Sequence, residues 1–304
     1  MEFFRNLDYK YPFTMNRKIK SVAIIVLMTV ATMSLYSQEG RFKISLAEWS
    51  IHRSLESGTV TNLDFPRIAR NYGLDAVEYV STFFNGKGED TKYLAALRDS
   101  CLKYGVKSLL IMVDGEGDLA DSSFNTRSKA VENHYKWVKA AKFLGCHSIR
   151  VNVRGRGTMG QTQAAAIDAL GRLADYAAKQ GINVIVENHG GNSSIGPWLV
   201  EIIKTANRKN LGSLPDFNNF PDYDAFKGVA ELLPFARGVS GQTRDFDEKG
   251  NDSKIDFERM MKIVSDSGYN GYIDVEYSGT SLSVDNGIKA NLALLRRVIA
   301  PYNK

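Results

Sequence analysis

The segment AKQGINVIVEN, residues 178–188, contains the pattern that decides the fold. A helix-like stretch ends in Lys179 and Gln180, Gly181 follows, and an apolar, β-branched run leads to Glu187. Glycine suits the left-handed position that closes a helix, because it has no Cβ to clash there. The apolar run has the composition of a strand buried on both faces. The segment therefore predicts a helix end, a turn and a buried parallel strand.

The same order of features recurs along the chain. It is found in RNYGLDAVEYV (70–80), LKYGVKSLLIMV (102–113), KFLGCHSIRVNV (142–153) and SDSGYNGYIDVEY (265–277). Three further segments have strand composition without the glycine phrase: RFKISLAEW (41–49), LGSLPDF (211–217) and ARGVSGQ (236–242). With the first segment, these give eight predicted strands.

Helical patterns fill the intervals between these strands. The predicted helices cover residues 62–72, 89–104, 126–144, 161–180, 195–208, 222–234, 255–267 and 285–299. Eight alternating strand and helix units in about 265 residues predict an α/β fold, a single closed (β/α)8 TIM barrel. An open doubly wound sheet is the alternative, but it calls for a glycine-rich phosphate loop after the first strand. The sequence there, LAEWSIHRS (46–54), is not such a loop, so we predict the barrel.

Residues 1–37 have the layout of a secretory signal peptide with an N-terminal extension. Arg17, Lys18 and Lys20 precede an apolar stretch from Val22 to about Thr32, and small or polar residues follow near Ser37. The apolar stretch is shorter than the roughly 20 residues of a membrane span. We therefore expect the barrel to occupy residues 38–304 and the protein to be exported to a bacterial periplasm, with no stable membrane insertion after cleavage.

The distribution of charge along the chain limits the class of partner. Residues 1–37 carry five Lys and Arg against two Asp and Glu, which accounts for three of the five net positive charges. No basic run occurs in the rest of the chain, so we expect no nucleic-acid partner.

Cys101 and Cys146 each lie near a helix end before a strand, and we interpret them as buried small residues. An exported protein could also pair them.

Polar residues near the ends of the strands are the candidates for function. In a TIM barrel the carboxyl ends of all strands face one opening, where active sites lie. Glu187, Asp216 and Glu276 lie at the ends of nearly apolar strands, so they would converge on one small volume. Carboxylates that lie close together without a positive partner raise one another's pKa values. A hard divalent cation with oxygen ligands would relieve that repulsion. The further candidates are Glu48, His52, Glu78, Asp114, Asn152, Arg154, His189, Asn219, Ser240, Gln242 and Arg244.

Several motifs together resemble a known family, the xylose-isomerase-like TIM barrels. This broad sugar (phosphate) isomerase/epimerase group also holds inosose dehydratase, tagatose 3-epimerase and AP endonuclease. The resemblance covers roughly residues 42–299. It is carried by SLAEWSIHRSL (45–55), LDFPRIARNYGLDAVEYV (63–80), VIVENHGG (184–191), LPDFNNFP (214–221), DFDEKGN (245–251) with IDFERMMKIV (255–264), and GYNGYIDVEYSG (268–279).

The resemblance implies a divalent metal held by side chains of the last four strands. In that family the ligands are a Glu closing the fifth strand, an Asp on the sixth, a His on the seventh and a Glu on the eighth. Carried over, it implies Glu187, Asp216 and Glu276. The seventh strand departs from the pattern, because it has Ser240 and Gln242 where many members have His-x-Lys. Gln242 is the better replacement ligand, and three carboxylates with an amide favour Mn²⁺ or Mg²⁺ over Zn²⁺.

The resemblance implies a small-molecule carbohydrate as the partner. Relatives often form dimers, so the resemblance also leaves a homodimer open. We expect Glu187 and Glu276 to act as the acid and base, with His189 as a further catalytic candidate. Substrate contacts are expected from His52, Glu78, Asn152, Asn219 and Arg244. No phosphate-binding loop or Arg/Lys cluster is evident, and sugar phosphates are cytoplasmic. An unphosphorylated sugar is therefore the expected substrate.

The chemistry expected is removal of a proton from the carbon beside a carbonyl group, to give an enediolate. Return of the proton elsewhere gives an isomerase or epimerase. Expulsion of a β-leaving group gives a dehydratase, or a lyase acting on a 3-keto-glycoside. A sugar-binding barrel without catalysis is a further alternative, suggested by Ser240 and Gln242. A DNA-repair endonuclease is disfavoured, since its metal site is rich in histidine and this chain has four histidines.

Overall fold

The computed structural model of the chain describes residues 40–303. Eight parallel strands form one sheet in the order β6-β5-β4-β3-β2-β1-β8-β7. Parallel bridges from Ser213 to Ala236 and from Asp216 to Ser240 join the two edges, so the sheet closes into the predicted barrel. The strands are β1 Phe42–Ala47, β2 Ala76–Val80, β3 Lys107–Val113, β4 Ser148–Val151, β5 Asn183–Glu187, β6 Leu211–Leu214, β7 Val239–Thr243 and β8 Gly271–Tyr277.

Helices lie in all eight predicted intervals. A short helix that the sequence analysis missed, α1 (His52–Glu56), follows β1. The glycines of the repeated phrase have left-handed backbone angles, such as φ 62° at Gly105 and φ 80° at Gly145. The remaining helices are α2 Phe65–Asn71, α3 Thr91–Tyr104, α4 Phe124–Leu144, α5 Met159–Ala178, α6 Gly196–Ala206, α7 Ala225–Leu232, α8 Phe257–Asp266 and α9 Val284–Ile299.

The interior of the barrel is divided between apolar and polar side chains. A large apolar cluster fills the space between strands and helices. Inside the barrel, a second cluster is formed by Ala47, Val80, Phe83, Leu110, Met112, Ile185 and Leu214. Other buried strand positions are polar, among them Ser45, Glu78, Arg150, Ser240 and Asp274. Because buried polar groups are costly unless paired, these residues point to function or to a specific network.

Two expectations concern features away from the barrel opening. The predicted signal peptide lies outside residues 40–303. Within that range no helix is both long enough and apolar enough to span a membrane. Cys101 and Cys146 are buried and are not joined in a disulfide, which agrees with their interpretation as two buried small residues.

Candidate active site

A cavity of about 870 Å³ opens at the carboxyl ends of the strands. This mouth cavity is where the fold predicts an active site. Nine of the site residues predicted from the sequence line it: Asp114, Asn152, Arg154, Glu187, His189, Asn219, Gln242, Arg244 and Glu276. The structure thus brings side chains from β5, β7 and β8, and from the loops that follow β3, β4, β5, β6 and β7, into one space.

Glu187 is the last residue of β5 and is only 3% exposed. Its Oε1 accepts a hydrogen bond from the amide of Asn219 at 3.0 Å. Its Oε2 lies 2.8 Å from Nε of Arg150, an ion pair in which the N–H does not point at the oxygen. Asn188, the next residue, binds the backbone of Asp216 through both ends of its amide, at 2.8 and 3.0 Å. The Glu-Asn pair at the end of β5 therefore also fixes the segment after β6.

Asp216 is fully buried and does not line the mouth cavity directly. Its Oδ1 accepts the backbone N–H groups of Asn218 and Asn219, at 2.7 and 2.9 Å. Its Oδ2 has no hydrogen-bond donor anywhere in residues 40–303. Burial, together with the negative charges of Glu187 and Glu276, raises the pKa of Asp216 well above its usual value. This carboxylate is therefore short of a positive partner.

Gln242 and Glu276 form a hydrogen-bonded pair across β7 and β8. Nε2 of Gln242 donates to Oε1 of Glu276 at 2.7 Å, while Oε1 of Gln242 is buried and receives no hydrogen bond from the described residues. Burial, and next the charge of Glu187, raise the pKa of Glu276 to about 7. Ser240, the weaker alternative ligand, instead donates to Asp274 at 3.0 Å, one layer deeper in the barrel.

Arg150 is a site residue that the sequence analysis missed. It lies on β4, is 4% exposed and lines the mouth cavity. Besides its contact with Glu187, its Nη1 donates to Oδ1 of Asp114 at 2.9 Å. Burial alone would raise the pKa of Asp114, but Arg150 and the amide of Asn152 hold that pKa below its usual range. The available signal was a charged residue in an apolar strand, on the same face as Asn152.

His189 and Arg154 meet at the rim of the mouth cavity. Nη2 of Arg154 lies 2.5 Å from Nδ1 of His189 and also donates to the His189 carbonyl oxygen at 3.3 Å. The backbone N–H of His189 donates to the hydroxyl of Ser193 at 2.9 Å. His189 therefore lies within a fixed loop at the cavity edge, and it makes no hydrogen bond to Glu187.

Two of the residues predicted to contact the substrate, His52 and Glu78, lie outside the mouth cavity. His52 does not line the mouth cavity, because the chain turns into a 3-10 helix at Glu48 and carries His52 behind Trp49. The two rings stack at 4.6 Å, and Trp49 is the residue that faces the cavity. Glu78 lies in the middle of β2, inside the barrel, and borders a separate cavity of about 620 Å³ at the amino ends of the strands.

The loop after β7 carries Arg244 to the rim, where the side chain is exposed and makes no hydrogen bond within the described part of the chain. Gly279, after β8, packs directly against this loop. A Cβ at Gly279 would lie 1.7 Å from the carbonyl oxygen of Arg244 and 2.7 Å from the ring of Tyr277. The approach of the two loops therefore depends on this glycine.

We expect Gly279→Ala to destabilise the barrel because the new methyl group must push the β7 loop away. Overpacking of this kind costs about 1–3 kcal/mol, which corresponds to a fall in Tm of roughly 3–10 °C. Thermal unfolding followed by circular dichroism measures the change. Gly160→Ala is the control, since nothing lies within 4 Å of its Cβ position, and it should lose no stability. Equal Tm values for the two variants would contradict the prediction.

The donor set around Asp216 suits an oxygen-preferring cation better than zinc. Two buried oxygens lack donors, Oδ2 of Asp216 and Oε1 of Gln242, and two carboxyl groups have raised pKa values. In residues 40–303, however, no three His, Cys, Asp or Glu side chains are grouped as a metal site by themselves. Any such site would need the amide of Gln242 and a small rearrangement of the carboxylates.

Comparison with known proteins places the fold. Residues 66–298 match the family described as "Xylose isomerase-like TIM barrel". The chain belongs to this family. A comparison with curated protein sequences finds no match.

Solved structures share the fold of this barrel at low sequence identity. An IolI protein with a bound zinc atom is 16% identical, with a TM-score of 0.69 over 86% of this chain and 99% of its own. D-psicose 3-epimerase from Clostridium cellulolyticum H10 is 12% identical, with a TM-score of 0.68 over 86% of this chain and 100% of its own. A 3-keto-D-glucoside 4-epimerase from E. coli is 14% identical, with a TM-score of 0.66 over 84% of this chain and 99% of its own.

Proposed function

We propose that the chain is a sugar isomerase or epimerase that removes the proton beside the carbonyl group of an unphosphorylated sugar. The observation that carries this proposal is the pair Glu187 and Glu276 in one cavity, where burial, and next the charge of Glu187, raise the pKa of Glu276 to about 7. A carboxyl group that titrates near neutral pH can both accept and return a proton at working pH. The epimerases among the structures that share the fold support the same class.

In the proposed reaction, one of these carboxylates takes the proton from the carbon beside the carbonyl, which leaves an enediolate. The other returns a proton to the opposite face or to the neighbouring carbon. Asn219 holds Oε1 of Glu187 at 3.0 Å, and Gln242 holds Oε1 of Glu276 at 2.7 Å. Oε2 of Glu276 is left for proton transfer, whereas Oε2 of Glu187 is oriented by its ion pair with Arg150 at 2.8 Å. Such fixed orientation is what makes a carboxylate an effective base.

The proposal includes a divalent cation, Mn²⁺ or Mg²⁺, held by Glu187, Asp216, Gln242 and Glu276. The unpaired oxygens of Asp216 and Gln242 support it, as does the raised pKa of Asp216, because a cation supplies the missing positive charge. When bound, the cation would act as a Lewis acid toward the carbonyl oxygen. The proposal also includes export, with residues 1–37 as the signal peptide, which fits an unphosphorylated substrate.

A second candidate is β-elimination from a 3-keto-glycoside, which shares the first proton transfer. Two of the structures with this fold support this second candidate: the 3-keto-D-glucoside 4-epimerase and a probable 3-DHS dehydratase from Bacillus anthracis. The two reactions part after the enediolate, when either a proton returns or a leaving group departs.

Proton NMR in D₂O on purified residues 38–304 with Mn²⁺ tests the function. The substrates are D-fructose, D-tagatose, D-psicose, the matching aldoses and a 3-keto-glucoside. Deuterium at the carbon beside the carbonyl, with a new isomer or epimer, is the expected result. Release of the aglycone with an unsaturated sugar would favour the lyase instead. If neither an isomer nor an elimination product forms, while binding of a sugar is still detected, a sugar-binding barrel without catalysis is the better account.

The cation can be tested without activity. We expect Mn²⁺ at about 100 times its Kd to stabilise the wild-type chain by about 2.7 kcal/mol. Asp216→Asn should abolish this gain, because it removes the unpaired ligand oxygen. It should also raise Tm in EDTA, because it removes a buried charge. Asp118→Asn, which alters a carboxylate of the same cavity outside the proposed ligand set, is the control and should keep the gain. A wild-type Tm that millimolar Mn²⁺ leaves unchanged would contradict the metal site.

A further inference from the structure

The guanidinium of Arg150 is a buried cation at the inner end of the mouth cavity, and the proposed function gives it no task. Its side chain is 4% exposed and borders the same space as Glu187 and Glu276. A charge buried to this degree is costly unless it is paired and hydrogen-bonded. Its placement in the strand interior therefore calls for a specific use.

Two of the three guanidinium nitrogens lie close to carboxylates from different parts of the barrel, one in a hydrogen bond and one in an ion pair. Nε lies 2.8 Å from Oε2 of Glu187, and Nη1 donates to Oδ1 of Asp114 at 2.9 Å. Nη2 has no acceptor among residues 40–303. The group is thus anchored by one hydrogen bond and one ion pair, and since Arg150 lines the mouth cavity, Nη2 is the nitrogen available to a ligand there.

The other arginines of the cavity are not equivalent. Arg154 and Arg244 are exposed at the rim, and Arg154 is engaged with His189. An exposed guanidinium interacts weakly with a nearby charge because water screens it. A buried donor that is already oriented stabilises developing charge much more effectively. Of the three, Arg150 has the position and rigidity for that task.

We propose that Arg150 is a catalytic residue that donates hydrogen bonds from Nη2 to the carbonyl oxygen of the bound sugar. The proposal rests on the proposed function. When the neighbouring C–H bond breaks, its proton moves to a carboxylate oxygen of Glu187 or Glu276. The C–H electron pair forms the C=C bond, and the carbonyl π pair moves onto the oxygen. Arg150 stabilises the negative charge that develops on that oxygen, and no further reactant is needed.

The test compares Arg150→Gln and Arg150→Lys with the wild-type chain on the sugar that it turns over. We expect Arg150→Gln to lower kcat by about 10²–10³-fold with little change in KM, as for loss of a single oxyanion donor. Arg150→Lys keeps the positive charge without the planar guanidinium, so its kcat should lie between that of Arg150→Gln and that of the wild type. Arg127→Lys is the control, because Arg127 forms a 2.8 Å ion pair with Asp168 outside the cavity. Its kcat should match that of the wild type.

Binding of two stable compounds separates catalysis from positioning. The hydroxamate of the matching aldonic acid imitates the planar, charged intermediate, and the matching alditol imitates only the hydroxyl groups. Titration calorimetry with and without Mn²⁺ should show Arg150→Gln losing at least about tenfold more affinity for the hydroxamate than for the alditol. Equal losses for both compounds would mean that Arg150 only positions Glu187, and would overturn the proposal.

The remaining outcomes are also decisive. If Arg150→Gln fails to fold because it leaves Glu187 and Asp114 unpaired, Arg150→Lys decides, and wild-type kcat in that variant overturns the proposal. If the wild-type chain exchanges no proton from any sugar, the proposed function fails, and this inference fails with it. If wild-type exchange is intact and Arg150→Gln matches it, only the inference on Arg150 fails.

Discussion

Glu276→Gln should lower the rate of product formation by about 10³-fold, because the amide cannot carry the proton. Gln has the shape of Glu, and residue 276 is only 7% exposed, so the packing should be retained. Glu187→Gln should cause a loss of similar size. Initial rates measured by proton NMR, with circular dichroism to verify folding, provide the comparison.

The two variants should differ in one respect, which assigns the roles. The carboxylate that first removes the proton also exchanges it with solvent, so deuterium can enter recovered substrate even when product formation is blocked. We expect this wash-in to survive in one of the two variants and to vanish in the other. Glu132→Gln is the control, because Glu132 is exposed on α4 and lies outside the mouth cavity. Substantial product from both glutamine variants would exclude these carboxylates as the acid and base.

Glu78→Gln should remove a large part of the pH dependence of stability. Burial raises the pKa of Glu78 to about 7, while a 2.7 Å hydrogen bond from Ser45 opposes the shift. Below the unfolded pKa of about 4.5, the group is protonated in both states. Between the two pKa values only the unfolded chain releases the proton, so the free energy of unfolding falls as pH rises. The full loss, on the order of 3 kcal/mol, is reached above pH 7.

Urea unfolding at pH 5 and pH 8 checks this prediction. The wild-type chain should be less stable at pH 8, and the difference should shrink by about 3 kcal/mol in Glu78→Gln, because Gln is neutral at both pH values and still accepts from Ser45. Glu132→Gln, on the exposed face of α4, is the control and should behave as the wild type. A pH dependence in Glu78→Gln as steep as that of the wild type would show that other groups are responsible.

The fold could be predicted because its determinants are local. Five phrases such as AKQGINVIVEN each specify a helix end, a left-handed glycine and a buried strand. Together with three further strand segments they give eight units, which leave few ways to close a sheet. Glu187, Gln242 and Glu276 could be placed at the mouth for the same reason, since each lies at or near the end of its strand.

The remaining site features depend on contacts between distant parts of the chain. Glu78 alternates inward on β2, but only the register of the closed barrel shows that it lies two residues short of the strand end. His52 lies outside the mouth cavity because the chain turns into a 3-10 helix after β1, and no clear sequence signal announces that turn. Arg150 was passed over because its partners, Asp114 and Glu187, are 36 and 37 residues away. Sequence alternation gives the side of a strand, whereas depth and pairing are properties of the assembled barrel.

The helix starts around the mouth have a consequence for how this barrel can change. Six of the connections that follow strands end at a residue whose side chain caps the next helix: Asp90, Ser123, Thr158, Asp224, Asp256 and Ser283. Each loop is therefore anchored by a strand on one side and a capped helix on the other. Except where two loops pack tightly, as at Gly279, the segments between those anchors can be exchanged or lengthened without moving the frame. Substrate range in this scaffold can thus evolve or be engineered one loop at a time, while the carboxylates at the strand ends stay in place.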